Sequence, residues 1–470
     1  MLNEFSKLPP YLQMEMTFAK VCHQITENGI CLDIPRTELY VTQLTKEIEE
    51  IDAELIKIIP DKQKKMPTLK NIFRKDSTPT AKMTEWIGSG NPYRITNSDN
   101  GNCDMERWLI VPASLGDPKT LKNYMLDMGW IPREDFECWN YKVVRNIYSK
   151  MEKVKGPDNK YVRTSPKTPT DDEELESLKH IPGCELIAVR SQKRHRLGLF
   201  KGFLENCGRN GRIKMGINSC GAATGRVTHS VVANIPRSSS YFGNECRSVL
   251  CTTPGTVLVG CDESGLELRV MAHYINDPVF TDLILNGDIH QFFYEKLKDF
   301  VKDRSSGKNL TYAMVYGAGD EKLGSMCDKI LHTNNKRAGE LVREAYIRAI
   351  PNLGILINAL EYEFHQKRGI TGLDGRFISC RKKFALLNTL CQSAGAIISK
   401  EWTNRFKELM PDEKIVGFIH DEILVETTDE RALLVGQTLV NCIIEAGEHF
   451  GLDIPLSGEF KVGKNWSEVH

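Results

Sequence analysis

The sequence predicts an α+β protein made of several structural units, and three observations lead to this prediction. The chain has 470 residues, more than a single hydrophobic core usually organises. Helical periodicity is clear at three- and four-residue spacing over 41–55, and residues 276–385 are also mostly helical in pattern. Short apolar strands are predicted at 257–261 and 415–419, and the second strand is followed by another apolar arm at 423–425, which indicates a hairpin.

The composition is that of an ordinary globular protein, with 41% hydrophobic and 26% charged residues. No run of 18 apolar residues occurs, so we expect no transmembrane helix. The N-terminus lacks a basic region followed by an apolar stretch, which argues against secretion. The 14 cysteines are scattered, without a Cys-x-x-Cys pair. We therefore expect reduced thiols, no structural zinc and a cytoplasmic location.

The charges balance overall, with 62 basic and 62 acidic residues, and this argues mildly against nucleic-acid binding. The two signs are nevertheless segregated along the chain. Residues 61–83 carry seven Lys or Arg against two acids, and residues 190–201 are basic again. Acidic residues collect instead at 171–174. Such runs are usually solvated faces, so the charges alone leave binding to nucleic acid open.

The N-terminal part of the chain reads as helical with one long interruption. Residues 11–58 are predicted to be mostly helical, with a break near Pro35. Residues 59–118 are rich in Pro and Gly and predict an irregular insertion. Thr170 and Glu173 have the spacing of a capping box, which predicts the start of another helix.

Two carboxylates are the first candidates for chemistry. Asp262 and Asp421 each follow an apolar strand. A recessed carboxylate is costly unless it is paired or bound to a metal, although each residue alone also fits an ordinary solvated strand end. If the two strands are neighbours, the pair could hold two Mg²⁺ ions, which favour a few carboxylates together with substrate phosphates. Two such ions clamp the attacking and leaving oxygens of a phosphoryl displacement.

The second candidate is a stripe of four residues on one predicted helix. Arg304, Lys308, Tyr312 and Tyr316 recur at every fourth position and therefore share a face. Two cations followed by two aromatic rings do not form an amphipathic core pattern. The functional interpretation is that the cations bind a triphosphate while the rings pack on a base or sugar. A surface helix with chance cations is the alternative.

Several segments resemble sequence motifs of the DNA polymerase I family, or family A. They occur in the order and with the spacing of that family, and they resemble motifs A, B and C at Cys261–Arg269, Arg304–Gly317 and His420–Glu422. Further similarity lies at Thr224–Arg226, Asn234–Pro236 and Leu390–Gly395. Within the family, the sequence is most similar to the replicative polymerases of small tailed phages. This similarity is seen at Gly319–Lys322, Asn388–Leu390, Asn465, Trp466 and His470.

The resemblance implies a right-hand polymerase with an antiparallel-sheet palm, helical fingers and a helical thumb. The thumb would be 1–204, the palm 205–275 with 385–470, and the fingers 276–384. Within the thumb, related phage enzymes place a docking loop for a processivity factor at about 59–118. The basic residues there are equally compatible with direct DNA contact, and both roles stay open.

The family's functional residues transfer to matching positions in this chain. Asp262 and Asp421 would bind two Mg²⁺ ions, with the backbone carbonyl of Glu263 as a further ligand. The incoming dNTP would be held by His290, Arg304, Lys308 (also catalytic), Tyr312 and Tyr316, while Glu267 packs on Tyr316 and excludes ribonucleotides. Contacts to primer–template DNA would come from Arg226, Asn234, Gln392 and His420.

The resemblance therefore implies a template-directed DNA polymerase that serves phage genome replication, located in the host cytoplasm if phage-encoded. Fewer than about 15 residues precede thumb-like sequence, so we expect no proofreading exonuclease, and a separate chain as its source stays open. Asp52-x-Glu54 and Asp135-x-Glu137 match an exonuclease motif superficially and are interpreted as surface acids. A single-subunit RNA polymerase is the nearest alternative, which Glu267 and Glu422 argue against. A second alternative is an inactive DNA-binding subunit. The paired carboxylates argue against it, because binding alone does not need them.

Overall fold

The computed structural model describes residues 7–97, 102–116, 118–130, 178–315, 317–328 and 333–470. Contacts divide the chain into a larger unit, Met1–Thr37 with Lys201–His470, and a smaller unit, Glu38–Phe200. Every cysteine in the described ranges is a free thiol. None of the described helices is long and apolar enough to cross a lipid bilayer.

The elements of the first half of the chain are α1 (Pro10–Asn28), β1 (Ile30–Leu32), α2 (Ile34–Ile58), β2 (Lys62–Leu69), α3 (Ala81–Gly88), β3 (Tyr93–Asn97), β4 (Cys103–Val111), α4 (Pro118–Asp127), α5 (Cys184–Glu205), β5 (Arg212–Ile213), β6 (Gly216–Asn218) and β7 (Thr228–Ser230). The two predicted helical stretches on either side of Pro35 are therefore confirmed.

The second half contains α6 (Gly243–Ser248), β8 (Leu250–Cys251), β9 (Val257–Glu263), α7 (Leu266–Ile275), α8 (Pro278–Leu285), α9 (Ile289–Leu297), α10 (Arg304–Val315), α11 (Asp320–Ser325), α12 (Asn335–Ala349), α13 (Pro351–Lys367), β10 (Gly369–Thr371), β11 (Phe377–Ser379), α14 (Leu386–Leu409), β12 (Lys414–Ile419), β13 (Glu422–Thr427), α15 (Ala432–His449), β14 (Gly458–Gly463) and α16 (Trp466–Val469). Short 3₁₀ turns precede α14 and α15.

The central feature of the larger unit is a four-stranded antiparallel sheet in the order β12-β13-β9-β14. Strand β9 is buried at six of its seven residues, because helices cover both of its faces. Val259 and Cys261 belong to the main core together with Leu439 and Ile443 of α15. On the opposite face a Cβ at Gly260 would lie 2.7 Å from Val469, so the glycine allows α16 to approach closely. The predicted α+β class is confirmed.

A small sheet occupies most of the segment for which the composition predicts an irregular insertion. Strands β2, β4 and β3 pair in that order, and α3 supplies Met83 to a core with Ile72 and Met105. The Pro residues do not prevent this, because they lie at the ends of elements or, for Pro67, at an irregularity in the edge strand β2. The described part of the 59–118 segment is therefore largely regular secondary structure rather than irregular.

Part of the basic stretch at 190–201 serves the smaller unit internally. Arg190 is buried and donates from Nη2 to Asp52 and to the carbonyl of Leu115, both at 3.0 Å. Lys193 likewise pairs with Glu47. Asp52, the first acid of the exonuclease-like Asp52-x-Glu54 sequence, thus has a structural partner. The Asp135-x-Glu137 sequence and the predicted cap at Thr170 lie outside the described residues.

The division into units differs from the predicted domain boundaries at one end. Residues before Thr37 group with the larger unit rather than with 38–200. Helix α1 packs on α14 and β12, and the rings of Phe18 and Phe418 meet edge to face with centroids 5.3 Å apart. The assignment of thumb, palm and fingers to residue ranges stays a prediction.

Candidate active site

The two predicted carboxylates lie on adjacent strands. Asp262 is near the end of β9, and Asp421 is in the turn that joins β12 to β13. Strand β13 pairs with β9 so that Glu422 faces Asp262, and the amide of Glu263 donates to the carbonyl of Asp421 at 3.1 Å. The turn itself needs a left-handed residue, and His420 has φ of +59°. The expectation that the strands next to these two acids are neighbours is confirmed.

Both carboxylates are difficult to ionise in this position. Loss of hydration raises the pKa of Asp262 to about 7, with further contributions from the negative charges of Asp421 and Glu422. Burial also raises the pKa of Asp421. Burial raises the pKa of both acids, and the charge of Asp421 also raises that of Asp262. A bound cation would therefore stabilise the ionised form of the site.

The donor set fits magnesium better than a closed metal cage. Within the described ranges, no three side chains of His, Cys, Asp or Glu converge on one point. Mg²⁺ is commonly bound through one or two carboxylates and completes its shell with water and substrate phosphates. The side chain of Glu263 is buried and accepts a hydrogen bond from Ser399 at 3.1 Å. Its other oxygen, Oε1, is buried without a hydrogen-bond partner among the described residues, and the role of the Glu263 backbone carbonyl as a ligand stays a prediction.

A pocket of about 410 Å³ opens beside these acids. It brings together four residues predicted from the sequence, namely Asn234, Asp262, His420 and Asp421. Asn234 is held in the left-handed region with φ of +54°, which Asn tolerates better than most residues.

The pocket also has a wall that the sequence analysis did not predict, formed by Arg247, Glu422, Trp466 and His470. Trp466 donates from Nε1 to both oxygens of Glu422, at 2.9 and 3.0 Å, and His470 Nδ1 lies 3.2 Å from the same carboxylate. The guanidinium of Arg247 lies 5.1 Å from the Trp466 ring centroid. These contacts hold Glu422 beside Asp262 while satisfying its charge.

Two further predicted residues form an ion pair. Arg226 donates from Nη2 to Glu267 at 3.0 Å. Arg226 also lines a cavity of about 20 Å³ together with His420 and Asp421. Gln392 is half-buried on α14 and lines neither this cavity nor the pocket. Three of the predicted DNA-contacting residues, Arg226, Asn234 and His420, thus lie around Asp421, whereas Gln392 does not line either cavity.

The predicted stripe lies along α10. The opposite face of this helix carries Leu310 and Thr311 into the core, where the Tyr346 hydroxyl donates to Thr311 at 2.7 Å. Lys308 Nζ lies 5.9 Å from the centroid of the Tyr312 ring. Burial and, to a smaller extent, the charge of Glu267 raise the pKa of Tyr312. Tyr316, the fourth member of the stripe, lies outside the described residues.

His290 and Arg304 complete this group. The ring centroids of His290 and Tyr312 are 5.5 Å apart. Burial and then the cations Lys308 and Arg304 lower the pKa of His290, and its Nδ1 is buried without a hydrogen-bond partner among the described residues. A neutral imidazole with an unused nitrogen beside two cations is suited to a polyanionic ligand.

Asp288 is a member of this group that sequence reasoning missed. Its carboxylate accepts hydrogen bonds from Arg304 Nε and Nη2 between 2.7 and 3.1 Å, and it also caps the amides of His290 and Gln291 at the start of α9. An Asp two residues before a predicted helical His is a recognisable N-cap signal. Its pairing with a cation 16 positions away has no signal in the sequence.

Residues 133–468 match the family described as DNA polymerase family A, and the chain belongs to this family. The chain is 31% identical over 308 residues to the DNA-directed DNA polymerase of Enterobacteria phage T3, which covers 57% of this chain and 43% of that protein. It is 26% identical over 503 residues to the DNA-directed DNA polymerase of Escherichia phage Phieco32, covering 86% and 77%.

The fold is also similar to that of a solved structure, the POL domain of Pol1 from M. smegmatis in complex with DNA primer-template and dNTP. The TM-score is 0.69 at 18% identity, over 97% of this chain and 70% of that one. The match to the phage T3 protein spans less than half of that protein's length.

Proposed function

We propose that this protein is a template-directed DNA polymerase that adds dNTPs to a primer 3′ end in phage genome replication. The observation that carries the proposal is the pair Asp262 and Asp421 on adjacent strands, recessed and with raised pKa values. Family membership supports it, as do the phage relatives whose names state DNA-directed DNA polymerase activity.

Two Mg²⁺ ions would be held by Asp262, Asp421 and the backbone carbonyl of Glu263. Bound there, they would supply charge stabilisation for the attacking and leaving oxygens of a phosphoryl transfer. The raised pKa values support this assignment, because a divalent cation favours the ionised form of both acids. Burial of the Glu263 side chain is compatible with a ligand role for its backbone alone.

The incoming dNTP would bind along α10. Arg304 and Lys308 would neutralise the triphosphate, and Lys308 would act on charge that develops on the leaving group. His290, neutral and with a free Nδ1, would add a hydrogen bond. Tyr312 would line the sugar, and Glu267 would exclude a 2′-hydroxyl, in the family's arrangement together with Tyr316.

Primer–template DNA would be contacted by residues that line the pocket beside Asp421. Arg226, Asn234 and His420 surround the turn that carries Asp421, and Gln392 would contribute from α14. Minor-groove acceptors are similar in every correct base pair. Contacts of this kind can therefore test the shape of a pair at the primer end without reading its sequence.

The small sheet at 62–111 would be a separate functional surface, and both predicted roles are retained. It carries two cation–aromatic contacts, Lys65 with Trp108 at 5.7 Å and Arg107 with Trp86 at 4.8 Å. Lys65 also pairs with Glu106, which reduces its charge available for phosphate. Under either role, a docked processivity factor or direct DNA contact, removal of the sheet should shorten the products made per binding event.

Single-nucleotide extension of a labelled primer–template tests the central proposal. Asp262→Asn or Asp421→Asn should abolish incorporation, whereas DNA affinity, measured by anisotropy, should change little because it comes mainly from phosphate contacts. Asp412→Asn, a change at an exposed acid near the start of β12, is the matched control and should extend normally. Near-normal turnover by either site variant would remove the carboxylates from the reaction.

The same assay separates the alternatives. Extension with dNTPs and not rNTPs supports a DNA polymerase. Preferential extension with rNTPs would identify a single-subunit RNA polymerase instead. Binding without extension of either would identify an inactive DNA-binding subunit.

A further inference from the structure

Two cysteines face each other across a small antiparallel sheet of the larger unit. Strands β5, β1 and β8 pair in that order, and Cys31 on β1 is directly opposite Cys251 on β8. Residues directly opposite in an antiparallel pair have Cα atoms about 4.5–5.5 Å apart. A disulfide requires a Cα separation of about 4.4–6.8 Å. The backbone therefore already places these two residues at a distance that a disulfide can join.

Both thiols lie on the less buried face of this sheet. Ile30 and Leu32 of β1 and Leu250 of β8 are buried. Because successive side chains of a strand point to opposite faces, Cys31 and Cys251 share the other face, where both are half-buried. A small molecule in solution can therefore reach these two thiols without unfolding of the core.

The surroundings of Cys251 decide which thiol reacts first. Burial raises the pKa of the Cys251 thiol, and the charge and hydrogen bond of Cys31 raise it further, as do the negative charges of Asp33 and Glu426. The thiolate, not the thiol, is the form that attacks a disulfide. Cys31 is therefore assigned the first attack. Once Cys31 is part of a disulfide, its charge no longer opposes ionisation of Cys251.

We propose that Cys31 and Cys251 form a reversible modification site, at which a low-molecular-weight disulfide oxidises the two thiols to a cross-strand disulfide. The Cys31 thiolate attacks one sulfur of the small disulfide, forms a mixed disulfide and displaces one small thiolate. The Cys251 thiolate then attacks the Cys31 sulfur and displaces the second small thiolate. The two displaced thiolates take up the two protons that the cysteines lose. Two protein thiols are thus oxidised, and one small disulfide is reduced to two thiols.

This disulfide constrains the chain across a long loop. It closes the loop 32–250, which contains all residues of the smaller unit, Glu38–Phe200. Closing a long loop removes conformational entropy from the unfolded chain. The disulfide also fixes β1 to β8 within the larger unit. The oxidised protein should therefore open less often at these two strands than the reduced protein.

The test treats the full chain, under native conditions, with oxidised glutathione. Free thiols are then alkylated, and the tryptic peptides are identified by mass spectrometry. The peptides that contain Cys31 and Cys251 should be recovered as one linked species, which a dithiol reductant separates. Hydrogen exchange at amides of β1 and β8 should slow on oxidation and return to its original rate on reduction.

Three variants make the result specific. Cys251→Ser should trap a glutathione adduct on Cys31, because the second attack is missing. Cys31→Ser should leave Cys251 largely unmodified, because the first attack is missing. Cys207→Ser is the matched control, since Cys207 belongs to the same part of the fold but is opposite Ile213 rather than a cysteine. It should form the linked peptide as the wild type does.

Two outcomes would overturn the proposal. One is recovery of Cys31 and Cys251 from the oxidised wild type as separate peptides, either unmodified or each with its own glutathione. The other is a link between Cys31 and Cys207 in place of Cys251, which would contradict the strand register on which the proposal depends. Neither DNA nor nucleotide enters these measurements, so their outcome is independent of the proposed function.

Discussion

Replacing Trp466 by Phe should weaken the sheet that carries Asp262, because it removes a hydrogen-bond donor to the carboxylate of Glu422 in the wall of the pocket. Glu422 is 4% exposed and pairs across the strands with Asp262. Trp466 Nε1 donates to both of its oxygens, and Phe removes this donor while keeping a ring beneath Arg247. His470 remains as the second contact of Glu422, at 3.2 Å.

The magnitude follows from the type of bond that is lost. A hydrogen bond to a charged group contributes about 1.5–3 kcal/mol, and one to a neutral group about 0.5–1.5 kcal/mol. Trp466→Phe should therefore destabilise the wild type by about 2 kcal/mol or somewhat more, since the smaller ring also leaves unfilled space. In a Glu422→Gln background the same change should cost about 1–2 kcal/mol less, because the acceptor is neutral.

The assay is a double-mutant cycle on these two positions. Native-state hydrogen exchange at amides of β9 and β13 is the appropriate readout, because a chain with two compact units need not unfold in one step. The coupling is the difference between the cost of the double variant and the sum of the single costs. If the sum of the two single costs equals the cost of the double variant to within about 0.5 kcal/mol, the reasoning is refuted, because independent sites behave in that way.

Three further predictions concern activity. Glu267→Ala should admit ribonucleotides, whereas Glu267→Gln keeps the volume and should still exclude them; equal dNTP-to-rNTP incorporation ratios in both variants and the wild type would contradict a steric role. The wild type should terminate readily on dideoxynucleotides because the Tyr312 hydroxyl replaces the missing 3′-hydroxyl, and Tyr312→Phe should discriminate against them; equal termination would remove that role. Replacing 62–111 by a short Gly–Ser linker, which keeps Leu115 in the core, should shorten products per binding event but spare single-nucleotide addition, and loss of single addition would make the segment part of the fold. Lys62 and Val111 face each other across β2 and β4, so a short linker can join the ends.

Local patterns indicated Asp262, Asp421 and the stripe on α10, whereas the other candidate residues came from the resemblance to family A. The strands before Asp262 and Asp421 are continuous apolar runs because both faces of the sheet are covered, and such runs are visible in sequence. The polar residues between two apolar arms indicated the hairpin, and four-residue spacing placed Arg304, Lys308 and Tyr312 on one helix face. These features depend on residues that are close in sequence, within a few helical turns or one strand, so the sequence alone was sufficient to predict them.

Other features depended on contacts between distant residues and were decided only by the tertiary structure. Asp288 meets Arg304 because α9 and α10 pack together, and Glu422 meets Trp466 across 44 positions because β13 and the C-terminal helix both pack around β9. The sheet at 62–111 was not predicted, because the number of Pro and Gly residues in a segment does not show where they lie relative to its strands. Proline at element ends and at an edge-strand irregularity is compatible with pairing, whereas the same residues inside central strands would prevent it.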